Sequence, residues 1–460
     1  MKIEFVKQEK GSDLAVYEVA EGTRRNIFDA FDFKAEFNTT LIVTEEDKRI
    51  LYLGIGKEKE LSEERIRRAY STVINQAVAL KAKSICIQPL SEKYAGAVIE
   101  GILLSNYSFD KYKTKKEEKK LDTAAIVVRN PDAKKFSETI RICQNVLFVR
   151  DLVNENSELK NPVAFAKFAE ETCKNAGVKC RILQKSELEK HGFGLLLAVS
   201  RGSNYPPQLV VMEYHGGKAG EKIAFVGKGI TFDSGGLNLK PTGYIETMRG
   251  DMAGAATVLG IMKTAAELEL PVNIVGVMAL CENMIGPSSY KPGDSVKSYK
   301  GKTVEIANTD AEGRLILADA LAFSIKELKA TKIVDLATLT GAVRVALGDY
   351  ATGLLTNNAE LAKQFEKAGE KTGELVWQLP LWDDFSEDIK GSIADLKNIG
   401  GDGKSAGTIY GAAFLKEFVD KTPWVHLDIA ATAWYDKPRY YMTKGGTGAG
   451  LRLIMEWLKR

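Results

Sequence analysis

Short apolar runs, separated by turn residues and by stretches of helical periodicity, organise this chain from its first residues. Residues 41–43 and 50–53 read as strands. Between 63 and 80 the apolar positions Ile66, Ala69, Tyr70, Val73, Ile74, Ala77 and Leu80 fall on one helical face. A strand at 84–87, a helix at 95–104 and a strand at 124–128 complete what reads as a small α/β unit. A long helix is expected over 137–153, where Ile140, Ile142, Val146, Leu147 and Val149 are apolar, until Asn154, Asn156, Asn161 and Pro162 break the pattern. These features predict an N-terminal α/β domain over 1–135, a connecting helix within 136–160 and a larger domain over 161–460.

The second part alternates helix and strand more regularly. A helix over 163–176 ends at Gly177, a good residue for closing a helix. Strands are expected at 208–214, 222–226, 272–280, 332–336 and 425–429. The run Asn273-Ile274-Val275-Gly276-Val277-Met278-Ala279 suits a central strand covered on both faces. Alternating strand–helix units imply a mostly parallel central sheet flanked by helices, so the fold class is α/β throughout. Ligands of such sheets sit beyond the carboxyl ends of the strands. The reading places the polar stretch from Lys228 to Lys240 after the strand ending at Val226, in a strand-to-helix loop.

At 460 residues the chain is long enough for two domains, and 45% apolar residues give it sizeable cores. Lys and Arg total 64 against 61 Asp and Glu, a net charge of +3. That near-balance argues against a dedicated nucleic-acid binder. The basic run from Lys111 to Lys120, with Tyr112 its only large apolar residue, reads as a solvated loop. No apolar run reaches the ~18–20 residues of a membrane span, and the start of the chain has no signal-like stretch, so a cytoplasmic location is expected. Five scattered cysteines without a CxxC pair read as buried thiols rather than a disulfide framework. With only three histidines, far apart, any metal site must rest on carboxylates.

Two polar clusters carry the chemistry. One is Gly227-Lys228-Gly229-Ile230-Thr231-Phe232-Asp233-Ser234-Gly235-Gly236, followed by Lys240 and Asp251. The other is Asn308-Thr309-Asp310-Ala311-Glu312-Gly313-Arg314-Leu315. Taken singly, the first is also what an ordinary glycine-rich surface loop looks like, and the second what an acidic helix start looks like. Taken together, Asp233, Asp251, Asp310 and Glu312 would repel one another in one pocket, and divalent cations would remove that penalty. Oxygen-rich sites suit Mg²⁺ or Mn²⁺, and Zn²⁺ also accepts carboxylates. Beside such ions a lysine can lose its proton and become a ligand, while one further away stays charged and polarises a carbonyl. Arg314 keeps its charge, and its planar fork suits a carboxylate-like anion.

These two stretches strongly resemble the leucine aminopeptidases, the cytosol aminopeptidase family of dinuclear metallopeptidases. Further matches in the same order are Arg150-Asp151-Leu152-Val153-Asn154, Leu196-Leu197-Ala198-Val199 with Arg201-Gly202-Ser203, Asp251-Met252-Ala253-Gly254-Ala255-Ala256, Ala337-Thr338-Leu339-Thr340-Gly341 and His426-Leu427-Asp428-Ile429-Ala430. The resemblance covers about Arg150 to the C-terminus, and no motif matches in the first domain. It implies that Lys228, Asp233, Asp251, Asp310 and Glu312 ligate two divalent ions, Zn²⁺ or Mn²⁺ or Mg²⁺. Asp233 and Glu312 would bridge them, with Lys228 and Asp251 on the tighter ion and Asp310 on the more exchangeable one. Lys240 and Arg314 would be the catalytic pair, Lys240 polarising the scissile carbonyl and Arg314 holding a bicarbonate that acts as base toward the bridging water. Met248, Thr338, Leu339 and Gly341 resemble the pocket for the first side chain, which suits leucine and other apolar residues. Gly446 stands where the family more often has alanine, which bears on side-chain preference rather than chemistry. The resemblance also implies a homohexamer acting on peptides.

Two other functions compete. Some bacterial members of this family also bind DNA, and the Lys111–Lys120 run would be the candidate surface, although the charge balance weighs against it. A catalytically dead scaffold would not need the full set of ligand-type residues.

Overall fold

The computed structural model describes residues 1–45, 48–115, 120–218 and 220–459. It divides into two compact units, Met1–Leu147 with Tyr435–Lys444 and Phe148–Trp434 with Gly445–Arg460. The division falls inside a single helix, Ala133–Asn154. Residues 116–119 of the basic run lie outside the described residues.

The first unit holds a six-stranded sheet of β1 (Lys2–Val6), β2 (Leu14–Ala20), β3 (Thr40–Glu45), β4 (Lys48–Gly56), β5 (Ser84–Gln88) and β6 (Thr123–Val127), in the order β1-β6-β5-β2-β4-β3. All neighbours are parallel except the β3–β4 pair. β1 and β2 are additional to the strands expected from the sequence. The helix expected at 63–80 is Glu63–Ala79, and its apolar stripe from Ile66 to Ala77 is buried. Ser62 caps it by accepting the Arg65 amide.

The second unit is built on eight strands: β7 (Lys179–Leu183), β8 (Gln208–His215), β9 (Ile223–Asp233), β10 (Asn273–Asn283), then, beyond the short β11 (Ser295–Lys297) and β12 (Thr303–Glu305), β13 (Lys332–Ala337), β14 (Thr352–Thr356) and β15 (Val376–Gln378), and, after the two-residue β16 (Leu396–Lys397), β17 (Trp424–Asp428). Their order is β15-β14-β17-β13-β9-β10-β8-β7, with β11, β12 and β16 forming a separate small sheet. The centre, β17-β13-β9-β10, is parallel; β8 and β14 run antiparallel to it on either side, and beyond them β7 pairs antiparallel with β8 and β15 parallel with β14. β9 and β10 are almost wholly buried, as strands covered on both faces must be. The helices Ala253–Glu267 and Gly313–Lys326 are buried along nearly their whole length against this sheet. The fold class is therefore the α/β arrangement expected, with a mostly parallel sheet flanked by helices.

One boundary differs in a way that matters. The sequence reading ended a strand at Val226, but β9 runs on to Asp233. Gly227, Lys228, Gly229 and Thr231 interrupt the apolar run without ending the strand, because β10 pairs with β9 as far as Asp233, across a register shift after Ile230, while β13 pairs with it only as far as Gly227. Lys228 is thus a buried strand residue, not part of a surface loop. Among the described residues no helix is long and apolar enough to cross a membrane.

Candidate metal centre

The ends of the four parallel strands converge on one place. β9 delivers Lys228 and Asp233, β10 ends at Asn283 beside Asp233, β13 leads into Thr338–Gly341, and β17 ends at Asp428. Asp251 closes the turn Ile245–Gly250, just ahead of the helix Ala253–Glu267. Asp310 lies in the turn before the helix Gly313–Lys326, Glu312 is its N-cap residue, and Arg314 sits in its first turn. A helix start is a favourable setting for carboxylates.

All seven of the charged residues singled out from the sequence come together here. Lys228 Nζ lies 2.9 Å from Asp251 Oδ2, 2.9 Å from Glu312 Oε1 and 2.8 Å from the Thr338 carbonyl oxygen. Lys240 Nζ lies 3.0 Å from Asp233 Oδ2 and 2.5 Å from Asp310 Oδ1. Oxygens of Asp233, Asp310 and Glu312 all fall within 4.8 Å of one another. Gly313 makes the Lys228 position possible: a Cβ there would stand 2.6 Å from Lys228 Cε. At the end of β9, Gly235 turns at φ +87°, and its N–H donates to Asp233 Oδ1 at 2.8 Å.

Burial dominates the electrostatics. It pushes Asp233, Asp310 and Glu312 above the usual carboxylate range, and Asp251 up to about 8. Burial opposes the charge of Lys228 as well, yet Asp251, Glu312 and Asp233 raise it above the ordinary lysine value. For Lys240 burial is likewise outweighed, by Asp233, Glu312 and Asp310. Burial lowers Arg314 to about 10, against the pull of Glu312 and Asp428, so it remains a cation at neutral pH.

Does this donor set fit divalent cations? Two ammonium groups face four carboxylates, three of them buried and Asp310 half-buried, so the carboxylates outnumber the ammonium groups by two. Asp251 Oδ2 is buried, with the Lys228 ammonium 2.9 Å away and no well-directed hydrogen bond among the described residues. Three carboxylate oxygens within mutual reach are what a hard cation requires. The residues fit.

Further side chains brace the charged ones: Asn283, Tyr290 and Asn398, which the sequence reading did not single out, and Asp428, which it quoted only as part of a matching motif. Asn283 Nδ2 donates to Asp233 Oδ1 at 2.8 Å and to the Thr309 carbonyl at 3.0 Å, tying the two clusters together. Tyr290 Oη donates to the same Thr309 carbonyl at 2.6 Å. Asn398 accepts the amides of Ala307 and Asn308, donates to the Asn308 carbonyl, and accepts Arg314 Nη1 at 2.8 Å on its own carbonyl. Asp428 accepts the Leu339 amide and the Thr340 hydroxyl, fixing the loop after β13. Asn283, Asn398 and Asp428 share a position at or just beyond a strand end, while Tyr290 sits in the loop between β10 and β11.

A cavity of about 250 Å³ opens at this site, lined in part by Lys240, Asp310, Arg314, Leu339, Gly341 and Tyr410. Of the four residues expected in a side-chain pocket, Leu339 and Gly341 thus line it. Thr338 turns instead toward the carboxylate cluster, its hydroxyl donating to Asp251 Oδ1 at 2.7 Å. Met248, half-buried on the turn Ile245–Gly250, is not among the cavity's lining residues.

With this geometry in place, comparison with known proteins is direct. The profile of the cytosol aminopeptidase family, catalytic domain, matches residues 147–455, and that of the family's N-terminal domain matches residues 7–116. The second match falls where the sequence reading found no motif. A probable cytosol aminopeptidase of Geotalea uraniireducens (strain Rf4) is 41% identical, covering 96% of this chain and 92% of the relative. One from Geobacter sp. (strain M21) is 43% identical, covering 90% and 86%. Among solved structures, the bottromycin maturation enzyme BotP in complex with Mn superposes with a TM-score of 0.91 at 31% identity, covering 98% of this chain and 99% of that one.

Proposed function

The chain belongs to the cytosol aminopeptidase family, and on that premise we propose that it releases N-terminal leucine and other apolar residues from peptides at the centre formed by Lys228, Asp233, Asp251, Asp310 and Glu312. The coarser statement, a metal-dependent aminopeptidase, follows from the family itself. The observation that carries the finer one is the convergence of four carboxylates and two lysines at the carboxyl ends of β9, β10 and β13, beside a cavity.

Those five residues would hold two divalent ions. The ions would supply a bridging water of lowered pKa and a Lewis acid. The chain's own groups do the rest. Lys240 keeps its proton beside Asp233 and Asp310 and offers an ammonium to the carbonyl oxygen as negative charge develops. Arg314 is held by the Asn398 carbonyl, and its buried Nε has no hydrogen-bond partner among the described residues, leaving a donor for an anion such as bicarbonate. Leu339 and Gly341 form an apolar wall for the first side chain. Mn²⁺ is the first metal to try, because a structural relative is described with it. Assembly as a homohexamer belongs to the same reading.

The test is leucine release from a leucyl anilide before chelation, after chelation and dialysis, and after adding Mn²⁺ or Zn²⁺. Activity should vanish on stripping and return with metal. Full activity in metal-free protein would refute the reading.

A further inference from the structure

The cavity beside the metal centre has a second wall that none of the assigned roles uses. It is the glycine-rich loop over residues 400–407, which presents Lys404. This loop is anchored rather than loose. Gly400 packs on the Tyr410 ring so closely that a Cβ would stand 2.2 Å from Cδ1, and the Tyr410 hydroxyl donates to Asp388 Oδ2 at 2.7 Å. Asp402 Oδ1 accepts the amides of Lys404 and Ser405 at 2.9 and 3.0 Å and the Ser405 hydroxyl at 2.9 Å. Ala406 then turns at φ +48° into the helix Gly407–Lys416.

Charge around the cavity is lopsided. Its one acidic lining residue, Asp310, is in an ion pair with Lys240. Arg314 is held by a backbone carbonyl. Lys404 is exposed and makes no ion pair among the described residues. The cavity therefore presents a positive wall to whatever enters. Its size sets the scale: 250 Å³ corresponds to a sphere about 8 Å across, and a two-residue peptide, fully extended, spans at most about 7 Å.

We infer that Lys404 binds the C-terminal carboxylate of a dipeptide whose amino end lies at the metal centre, so that the enzyme favours dipeptides bearing a free carboxylate. This rests on the aminopeptidase reading above. It adds a residue on the leaving side of the scissile bond and a substrate class.

The test compares kcat/KM for leucyl-glycine, leucyl-glycinamide and leucyl-aspartic diamide in the metal-loaded wild type, Lys404→Met and Lys404→Arg. The acid-to-amide ratio should fall about two- to fivefold in Lys404→Met, as expected for a partly exposed ion pair. Lys404→Arg should keep it, which separates charge from any disturbance of the loop. An unchanged ratio in Lys404→Met overturns the inference while leaving the aminopeptidase reading intact. Failure of the wild type to release leucine from any of the three overturns that reading instead. If the variant alters no main-chain acid-to-amide ratio but removes a preference for the neighbouring aspartyl side chain (its carboxylate kept free in a fourth peptide, leucyl-aspartyl α-amide), the C-terminal assignment is likewise overturned.

Discussion

Asn283→Ala removes a neutral side chain that hydrogen-bonds both clusters of the candidate metal centre. Its Nδ2 donates to the Asp233 carboxylate at 2.8 Å and to the Thr309 carbonyl at 3.0 Å. The first is a hydrogen bond to a charged group, worth about 1.5–3 kcal/mol, and the second contributes about 1 kcal/mol. Neither acceptor is left bare, because Gly235 N–H still reaches Asp233 Oδ1 and Tyr290 Oη still reaches the Thr309 carbonyl. The fold should survive, and the loss should appear in how well the carboxylates are aimed. Removing a hydrogen-bond partner from a metal-ligating carboxylate typically costs 10–100-fold in metal affinity. That is the fall we expect for Asn283→Ala, or about 1.4–2.7 kcal/mol.

The assay is competition against a fluorescent chelator, paired with thermal unfolding of the metal-free protein. Asn283→Asp supplies the sharper comparison in the metal-free state. It preserves shape but replaces the donor with an acceptor facing Asp233. If the donor matters, Asn283→Asp melts below Asn283→Ala. If Asn283 only fills space, the isosteric aspartate melts close to wild type. A wild-type-like Asn283→Asp, together with metal affinity in Asn283→Ala within twofold of normal, would refute the bracing role.

Two further predictions follow from buried neighbours of the site. Gly313→Ala places a Cβ 2.6–2.8 Å from Lys228 Cε, Cδ and Nζ. Alanine also gains about 0.5–1 kcal/mol of helix preference over glycine, so metal-free stability should change little while metal affinity falls about tenfold or more; chelator competition beside a melting curve checks both, and unchanged affinity would show that Lys228 has room to move. Lys160 is buried, donates to the Leu152 and Val153 carbonyls at 2.8 Å, and has its pKa lowered to about 7, chiefly by burial. Between pH 7 and 10.5 the unfolded chain binds the proton that the native state releases, so this residue's charge penalty, roughly 3–5 kcal/mol when fully present, applies in full below pH 7 and fades as pH rises toward 10.5. The melting temperature of Lys160→Met relative to wild type should therefore fall steadily from pH 6.5 to 9.5, and a pH-independent difference would contradict the lowered pKa.

Much of the second unit was legible because its strands are long apolar runs and its charged residues stand out against them. The helix expected over 163–176 and the strand expected over 272–280 follow from periodicity and an apolar run alone, and the structure has them as Pro162–Ala176 and Asn273–Asn283. The far half of β9 was not legible, for a physical reason. A strand is recognised by apolar side chains, but here Lys228, Thr231 and Asp233 are buried polar groups, satisfied by residues from other elements. Local hydropathy reads such a stretch as a loop. The return of Tyr435–Lys444 to the first unit is equally invisible locally, since nothing in those ten residues encodes which core they join.

The neutral braces show where reading charges alone falls short. A pocket of buried carboxylates could be relieved by more cations, which a reader of sequence would count. This chain instead surrounds them with amides and hydroxyls: Asn283, Asn398, Thr309 and Tyr290 fix the carboxylate-bearing segments without neutralising them. The effect is to hold the geometry while preserving the negative excess that burial works against. An added lysine would stabilise the metal-free pocket and compete with divalent ions for the same oxygens; an amide aims the oxygens and leaves their charge available. Hydrogen bonds spanning 50 to 90 residues of sequence carry that design, so it becomes visible only once β9 and β10 and the turn before the helix Gly313–Lys326 are set side by side.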